Sequence, residues 1–536
     1  MSNQFDDLRQ FARDHGMAEE GDPIIVKPNV LLPGGRVRIL DTARALFGIL
    51  ADKKVWFCRG GAVVILEKDP GQILPVVHVL KPAKARSEFE EYADLFVQNK
   101  DGPVPGVMSE DTAKAILESS MAKQTLPNLS GLINCPLAIL RNGEFHILPA
   151  GYDARTGYYV TGPAATEPAS LEQAVAIITG IIAEYSFQTP GDISRAIASI
   201  LTPMLKFGGF IKGFVPIEVV EANDSQTGKG YFVLIRCAVY GEQPTYVAAK
   251  KGGVGSLDES FASALVKGRP FIVFDNFRGN LDSQYLESLL TAQGQFSVRI
   301  PHAGEMYIDP SRYLVSITSN GMQTTRDMAK RSSFIRLEKQ NNHHFHRFND
   351  NDDLLVTIRK HQPMFLGAVL AVIRQWHQLG MPRTNENRHS FVDWAQINDW
   401  IVQNLFDEAP LLDGHADAQN RVQDSALTFA RLLAIEVNNR DQLGTRLSAT
   451  EIFDICENGE ISIPGLGEKQ SDNQDFGKKL IGKIMNKLFG NNNHFAMESF
   501  IITRESEKVV TLAGNTQEQK KYTFTQAEKQ KPAEGA

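Results

Sequence analysis

The sequence predicts a multidomain protein of the α/β class, and three stretches carry that prediction. An apolar run, 214–220, leads into Glu221-Ala222-Asn223-Asp224-Ser225-Gln226-Thr227-Gly228-Lys229-Gly230, and a second apolar run, 231–235, follows it. These segments spell strand, tight polar loop, helix. Phe271-Ile272-Val273-Phe274-Asp275-Asn276 is four apolar residues delivering a carboxylate, as a buried parallel strand does at its C-terminal end. Tyr313-Leu314-Val315-Ser316-Ile317-Thr318 is a further apolar strand, and it ends in Ser319-Asn320-Gly321.

With 536 residues the chain exceeds what one core serves, so about two to four domains are expected. A hydrophobic content of 42% and a charged content of 22% are ordinary for globular protein. No apolar run is long enough to span a bilayer, and residues 1–20 are polar with no signal-peptide core, which predicts a cytoplasmic protein with no membrane partner. Cys58, Cys135, Cys237 and Cys456 are scattered, with neither zinc spacing nor a disulfide framework. The net charge of −7 rules out a globally basic coat, so any contact with nucleic acid must come from a local patch.

Residues 1–165 read as an N-terminal α/β recognition or assembly domain. Two strand candidates, 55–58 and 62–66, flank Arg59-Gly60-Gly61 as a hairpin turn, and 74–80 is another strand. Ser87 is placed to start a helix, and 151–159 is a turn-rich segment between strands. Trp56, Arg59, Lys81, Lys84 and Arg86 are candidates for touching DNA, with solvated surface as the plainer reading. No carboxylate cluster with polymerase or primase spacing occurs here. Gly162 to Ser170 reads as a linker. Helices are expected from Leu171 to Tyr185, with apolar residues recurring at Ala174, Ile177, Ile178, Ile181 and Ile182, and from Asp192 to Phe207.

The loop 223–230 then has the layout of a phosphate-binding P-loop. Its N–H groups and the following helix N-terminus suit phosphate oxygens, and Lys229 adds a point charge. Asn223 stands where the pattern has glycine, and Gly230 where it has serine or threonine. Lys250-Lys251-Gly252-Gly253-Val254-Gly255-Ser256 is a basic flexible loop that suits a nucleotide, DNA or plain solvent. Asp275 is where a P-loop ATPase holds Mg²⁺. Asn320 suits a sensor of the γ-phosphate and attacking water, and the nearby arginines suit a finger reaching a neighbouring subunit, Arg331 first and Arg326 second. Between them, 294–307 alternates around Pro301-His302-Ala303-Gly304 as a β-hairpin.

Residues 342–440 predict a helical domain, with apolar periodicity over 366–376 and 391–406. His343-His344-Phe345-His346 fits no structural zinc set and reads as a polar loop. Arg383, Arg388 and His389 are candidates to return to the nucleotide. Over 441–525, a Ser448-x-x-Glu451 capping box, a basic helix across about 475–489 and strands at 500–503, 508–512 and 522–524 predict a winged-helix DNA-binding domain. Phe476, Leu480, Ile484 and Leu488 form its expected packed stripe. Lys479, Lys483 and Lys487 meet phosphates. Residues 526–536 are expected to be a disordered tail.

A P-loop ending Gly228-Lys229, then Asp275-Asn276, Ser319-Asn320 and the arginines Arg326 and Arg331 stand in an order that resembles the AAA+ ATPases. The hairpin ahead of the third strand resembles superfamily III-type replication helicases of phages, plasmids and chromosomal islands. The resemblance spans roughly 190–340 and marks 166–341 as an AAA+ P-loop ATPase domain. It implies a DNA helicase or translocase acting in replication of a mobile genetic element. It further implies ATP and Mg²⁺ as cofactors, and a homo-oligomeric ring, a hexamer among the options, on single-stranded or forked DNA with other replication proteins. Residue by residue, Asn223, Asp224, Ser225, Gln226, Thr227, Gly228, Lys229 and Gly230 would hold the nucleotide, and Asp275 the metal. Asn276 would follow the metal ligand, Asn320 would sense, and Arg331 or Arg326 would act in trans. Arg299 and His302 would contact DNA from the hairpin. Three departures stand out: Gly230 lacks the metal-binding hydroxyl, Asn276 replaces an acid, and the hairpin lacks a lysine. The general base is left to Asp282 or Glu287, and a nucleotide-gated DNA-binding or assembly module that scarcely hydrolyses ATP is the rival reading.

Overall fold

A computed structural model of the chain describes residues 27–168, 170–222, 227–247, 257–281, 283–292, 294–300, 304–340, 346–348, 351–423, 425–459, 461, 463–466, 474–490, 492–497, 500–510 and 516–527. The architecture is mixed α/β, with helices and several separate sheets. The chain divides into two compact units, one of residues 1–66 and 78–128, the other of 67–77 and 129–536.

The chain up to residue 128 forms β1 (Asn29–Leu31), α1 (Ile39–Ala51), β2 (Trp56–Arg59), β3 (Ala62–Glu67), β4 (Val76–Val79), α2 (Pro82–Tyr92), β5 (Asp94–Asn99), β6 (Gly102–Pro105), α3 (Glu110–Leu117) and α4 (Ser120–Thr125). The expected hairpin is present: Arg59 pairs with Ala62 across a turn of Gly60 and Gly61, both at positive φ. Trp56 is buried and stacks on Phe89, and Arg59 is buried too, so neither is a surface contact for DNA. Lys81 and Lys84 stay exposed and Arg86 is half-buried. Ser87 does not start a helix. It lies mid-way along α2, its hydroxyl bonded back to the Lys84 carbonyl, because Pro82 at the first turn already sets the helical φ.

The second unit opens with short strands, β7 (Gly131–Ile133), β8 (Leu137–Arg141), β9 (Glu144–Leu148), β10 (Gly151–Asp153) and β11 (Tyr158–Val160). Residues 162–168 are packed down rather than left as a linker. Thr166 N–H donates to the Pro363 carbonyl, Glu167 pairs with Arg374 at 2.6 Å, and the backbone lies so close to Gly367 that a Cβ there would meet the Thr166 carbonyl oxygen at 1.9 Å. Then come α5 (Leu171–Ile182), β12 (Ser186–Phe187), α6 (Pro190–Phe207), β13 (Ile217–Ala222), α7 (Lys229–Val239), β14 (Thr245–Tyr246), α8 (Leu257–Lys267), β15 (Phe271–Leu281), α9 (Gln284–Leu289), β16 (Phe296–Ile300), β17 (Gly304–Ile308), β18 (Leu314–Thr324), α10 (Arg326–Lys330) and β19 (Ser332–Glu338).

These build one six-stranded sheet in the order β12-β19-β13-β18-β15-β14. All its pairings are parallel except that of β12 with β19. The strands are apolar nearly throughout because helices cover the sheet, and α6 is buried along almost its whole length. From β13 the chain crosses to the sheet edge at β14 and returns through β15 and β18, passing β13 to reach β19. The connections thus leave the adjacent strands β13 and β18 in opposite directions, and a ligand crevice forms at such a point in open parallel sheets.

Helices α11 (Leu354–Lys360), α12 (Gln362–Gln378), α13 (Val392–Leu405), α14 (His415–Gln423) and α15 (Ser425–Asn439) follow. Leu366, Val369, Trp376, Trp394 and Ile401 share one hydrophobic core with Val220, Phe232 and Phe271 of the sheet layer. The helical region is thus built onto the sheet. The chain closes with β20 (Arg446–Ser448), α16 (Ala449–Asn458), α17 (Gln474–Phe489), β21 (His494–Met497), β22 (Phe500–Val510) and β23 (Thr516–Gln526). Its four strands form an antiparallel sheet, β20-β23-β22-β21, around a second core. No helix among the described residues is long and apolar enough to cross a membrane.

Candidate functional site

At the C-terminal end of β13 the chain enters the loop. Asn223, Asp224, Ser225 and Gln226 lie outside the described residues, as do the expected basic loop 250–256, Asp282, His302, His343, His344 and Phe345. Thr227 and Gly228 lead into α7. Gly228 caps the helix at φ 85°, ψ 13°, a left-handed conformation that a side chain would strain, so glycine before Lys229 has a backbone reason. The first-turn N–H groups of α7 have no partner within the helix and face the crevice end of the strands. Lys229 is half-buried. Its ammonium donates to Asn320 Oδ1 on the adjacent strand β18, 91 residues later, and to Thr227 Oγ1 at 3.3 Å.

Asp275 is brought to the same edge by β15, which pairs with β18 on its other side. The strand does not end there, as expected from sequence, but runs on to Leu281. What marks Asp275 is a bulge. Phe274 pairs with Ile317 and Phe277 with Ser319, so Asp275 and Asn276 together stand opposite Thr318. Asn276 takes φ 49°, a left-handed conformation that asparagine tolerates better than most residues. Its N–H donates to Thr318 Oγ1 at 2.7 Å, and Thr318 Oγ1 donates to Asp275 Oδ1 at 2.6 Å. Asp275 and Asn276 are exposed, whereas Thr318 is buried. Thr318 was missed in the sequence because a threonine inside an apolar strand looks like β-propensity alone.

Gly230 lies across from this carboxylate. A Cβ placed on it would sit 3.7 Å from Asp275 Oδ1, an ordinary contact distance. The glycine therefore leaves space where a hydroxyl would fit. Among the described residues no cluster of three metal-binding side chains occurs. One exposed carboxylate across from the N-terminus of α7 is a donor of the kind that Mg²⁺ takes, since that ion commonly uses one or two carboxylates, substrate phosphates and water.

The arginines separate. Arg326 is exposed at the start of α10, capped by Thr325, whose hydroxyl also donates to Glu287 Oε1 at 2.7 Å. Glu287 is therefore engaged at the helix cap. Arg331 lies at the opposite end of the sheet, where its carbonyl accepts the Ile217 N–H at 3.0 Å. The length of β13, roughly 17 Å, separates that point from the loop of the same chain. Arg383 pairs with Asp393, and Arg388 with Glu386. His389 is buried against the Ser332 carbonyl at 3.2 Å, again at the N-terminal end of the strands. These three do not return to the Lys229 end.

The 294–307 hairpin is present as β16 and β17, with Phe296 opposite Ile308 and Ile300 opposite Gly304. Val298, Met306 and Ile308 are buried, while Arg299, Glu305 and Tyr307 are exposed.

Sequence reasoning also missed Glu221, the residue before Ala222 at the tip of β13. It is fully buried. Its Oε2 takes Arg421 of α14 and lies 3.8 Å from Arg431 of α15. An acid directly after Val219-Val220 is the available signal, since charge inside an apolar strand calls for a buried partner.

On α17, Lys479, Lys483 and Lys487 are exposed, as expected. The packed stripe is Ile481, Ile484, Met485 and Phe489, with Leu480 and Leu488 half-buried, rotated from the expected one. Gly477 explains the rotation: a Cβ there would meet the Phe453 ring at 2.2 Å, so α16 and α17 approach at the glycine.

No protein-family model matches the chain, and no curated protein matches it. A solved structure described as the A form apo structure of NrS-1 C terminal region-CTR is similar at 10% identity, over 90% of this chain and 99% of that one, with a TM-score of 0.36. A likeness at that score bears on neither the fold nor the function.

Proposed function

We propose that the chain is an ATPase that couples ATP turnover to movement on DNA, working as a ring of identical subunits. One observation carries the reading. Lys229 at the start of α7, and Asp275 and Asn320 within the adjacent parallel strands β15 and β18, are far apart in sequence and converge beyond the C-terminal end of β13, with Lys229 already bonded to Asn320. Lys229 and the α7 N-terminus would hold the β- and γ-phosphates. Asp275 would hold Mg²⁺, which when bound neutralises charge between the phosphates. Asn320 would leave the lysine for the γ-phosphate and orient the attacking water. The strand order supports an AAA+ core in this reading: the P-loop strand lies between the last and the penultimate parallel strands of the sheet. The position of Arg331, a strand length away from its own loop, supports a role toward the loop of a neighbouring copy. The helix–strand–helix–helix–sheet order of 425–526 supports a winged helix, with Lys479, Lys483 and Lys487 toward DNA phosphates. With the resemblance noted above, this is a replication motor.

A second reading has its own observation. Gly230 offers no metal-binding hydroxyl, and Asn276, in a left-handed backbone, stands where a carboxylate base is usual. Both favour a module gated by nucleotide binding rather than turnover. ATPase and strand-displacement assays on wild type, Lys229→Ala and Arg331→Ala separate the two. The motor reading expects DNA-dependent turnover that Lys229→Ala abolishes, and that Arg331→Ala abolishes without loss of ATP binding. Wild-type turnover no faster than that of Lys229→Ala, with or without DNA, removes it in favour of the gated module.

A further inference from the structure

Thr318 is engaged in a way that neither packing nor β-propensity requires. The bulge in β15 sets two residues against one on β18, which strips the Asn276 N–H of a ladder carbonyl. A buried hydroxyl supplies the missing acceptor at 2.7 Å. A threonine hydroxyl has one proton and two acceptor sites. Accepting from Asn276 leaves that proton for another group, and it goes to Asp275 Oδ1 at 2.6 Å. One side chain thus closes the bulge and fixes the rotation of an otherwise exposed carboxylate.

We infer that Thr318 is the positioning residue that presents Asp275 to the metal, an assignment that rests on the nucleotide-site reading above. Thr318 touches neither nucleotide nor metal. It acts by holding one carboxylate oxygen, so that the other keeps one orientation. Groups of this kind typically govern metal affinity by about 10- to 100-fold.

The test is calorimetric binding of ATP with and without Mg²⁺, a readout independent of turnover. Wild type, Thr318→Val, Thr318→Ser and Asp275→Asn are compared, with thermal melts to establish folding. Thr318→Val is expected to cut the Mg²⁺-dependent gain in ATP affinity by about tenfold or more while leaving Mg²⁺-free affinity unchanged. Thr318→Ser, which keeps the hydroxyl, should restore it. In the Asp275→Asn background, Thr318→Val should add no further loss. Should Thr318→Val not fold, Thr318→Ala is read in the same assay. An unchanged Mg²⁺ dependence in a folded hydroxyl-free variant overturns the inference, as does failure of serine to rescue. Wild-type protein that binds no ATP under either condition overturns the nucleotide-site reading itself, and is thereby distinguishable.

Discussion

Gly230→Ser asks most directly whether the loop lies beside the metal position. The substitution adds one carbon and one hydroxyl at the second residue of α7. The carbon would sit 3.7 Å from Asp275 Oδ1, with no closer neighbour among the described residues beyond the adjoining backbone, so no steric cost is expected from them. Exchanging glycine for serine in a helix gains roughly 0.5 kcal/mol of propensity. In a unit this large, that amounts to a melting temperature about 1 °C higher. The hydroxyl would stand within reach of whatever Asp275 holds. Replacing one metal-bound water by a tethered oxygen is expected to tighten Mg²⁺-dependent ATP binding about tenfold, equivalent to about 1.4 kcal/mol. Titration calorimetry with and without Mg²⁺ reads this out, with phosphate release as a second measure. A variant that folds as well as wild type but shows no change in Mg²⁺ dependence would refute the placement of Gly230 beside the metal. A lower melting temperature would refute the steric reasoning.

Three further outcomes are expected. Changing Lys479, Lys483 and Lys487 together to glutamine should weaken DNA binding and flatten the log–log salt dependence by about 2.7 for a duplex, as measured by anisotropy across a salt series; an unchanged slope means that this helix face does not meet phosphates. Gly477→Ala should destabilise the C-terminal segment by about 1–3 kcal/mol despite its better helix propensity, because the new methyl meets Phe453, and urea melts of the full chain measure it. Burial holds His389 down at about 4, and burial together with Arg195 holds His415 well below the usual range. Both are neutral when folded and take up protons when unfolded below about pH 6.5, so stability is full above that value and falls as pH drops toward 4. His389 alone should cost about 2 kcal/mol at pH 5, and His389→Gln should remove that share of the difference between pH 7 and pH 5 urea midpoints.

Much of the scaffold could be read from residue order. Four apolar residues before Asp275, the Gly228-Lys229 turn and the alternating 296–308 hairpin each follow from local periodicity, and each is found. What escaped reading depended on partners distant in sequence. Asp275 looked like a strand end because a bulge leaves no local mark; it is defined by Thr318 on the neighbouring strand. Trp56 and Arg59 looked available until the fold buried them. The stripe on α17 was set one residue off because Gly477, not the pattern of leucines, decides which face meets α16. Glu221 finds Arg421 200 residues away, a separation at which no sequence spacing speaks.

The same Glu221 makes α15 a shared bearing through Arg431. Midway along it, Arg431 lies 3.8 Å from Glu221, one residue from the end of β13. On either side of it, Phe429, Ala430, Leu433, Ile435 and Val437 of the same helix belong to the core that seats Ile452 and Phe453 of α16 and Ile481 and Met485 of α17. The strand tip beneath the loop and the scaffold of the lysine-bearing helix therefore hang on one rigid rod, gripped by charge at one point and by hydrocarbon at the next. Torque applied at either grip is delivered to the other between neighbouring residues of one helix, Arg431 at the charge and Ala430 in the hydrocarbon.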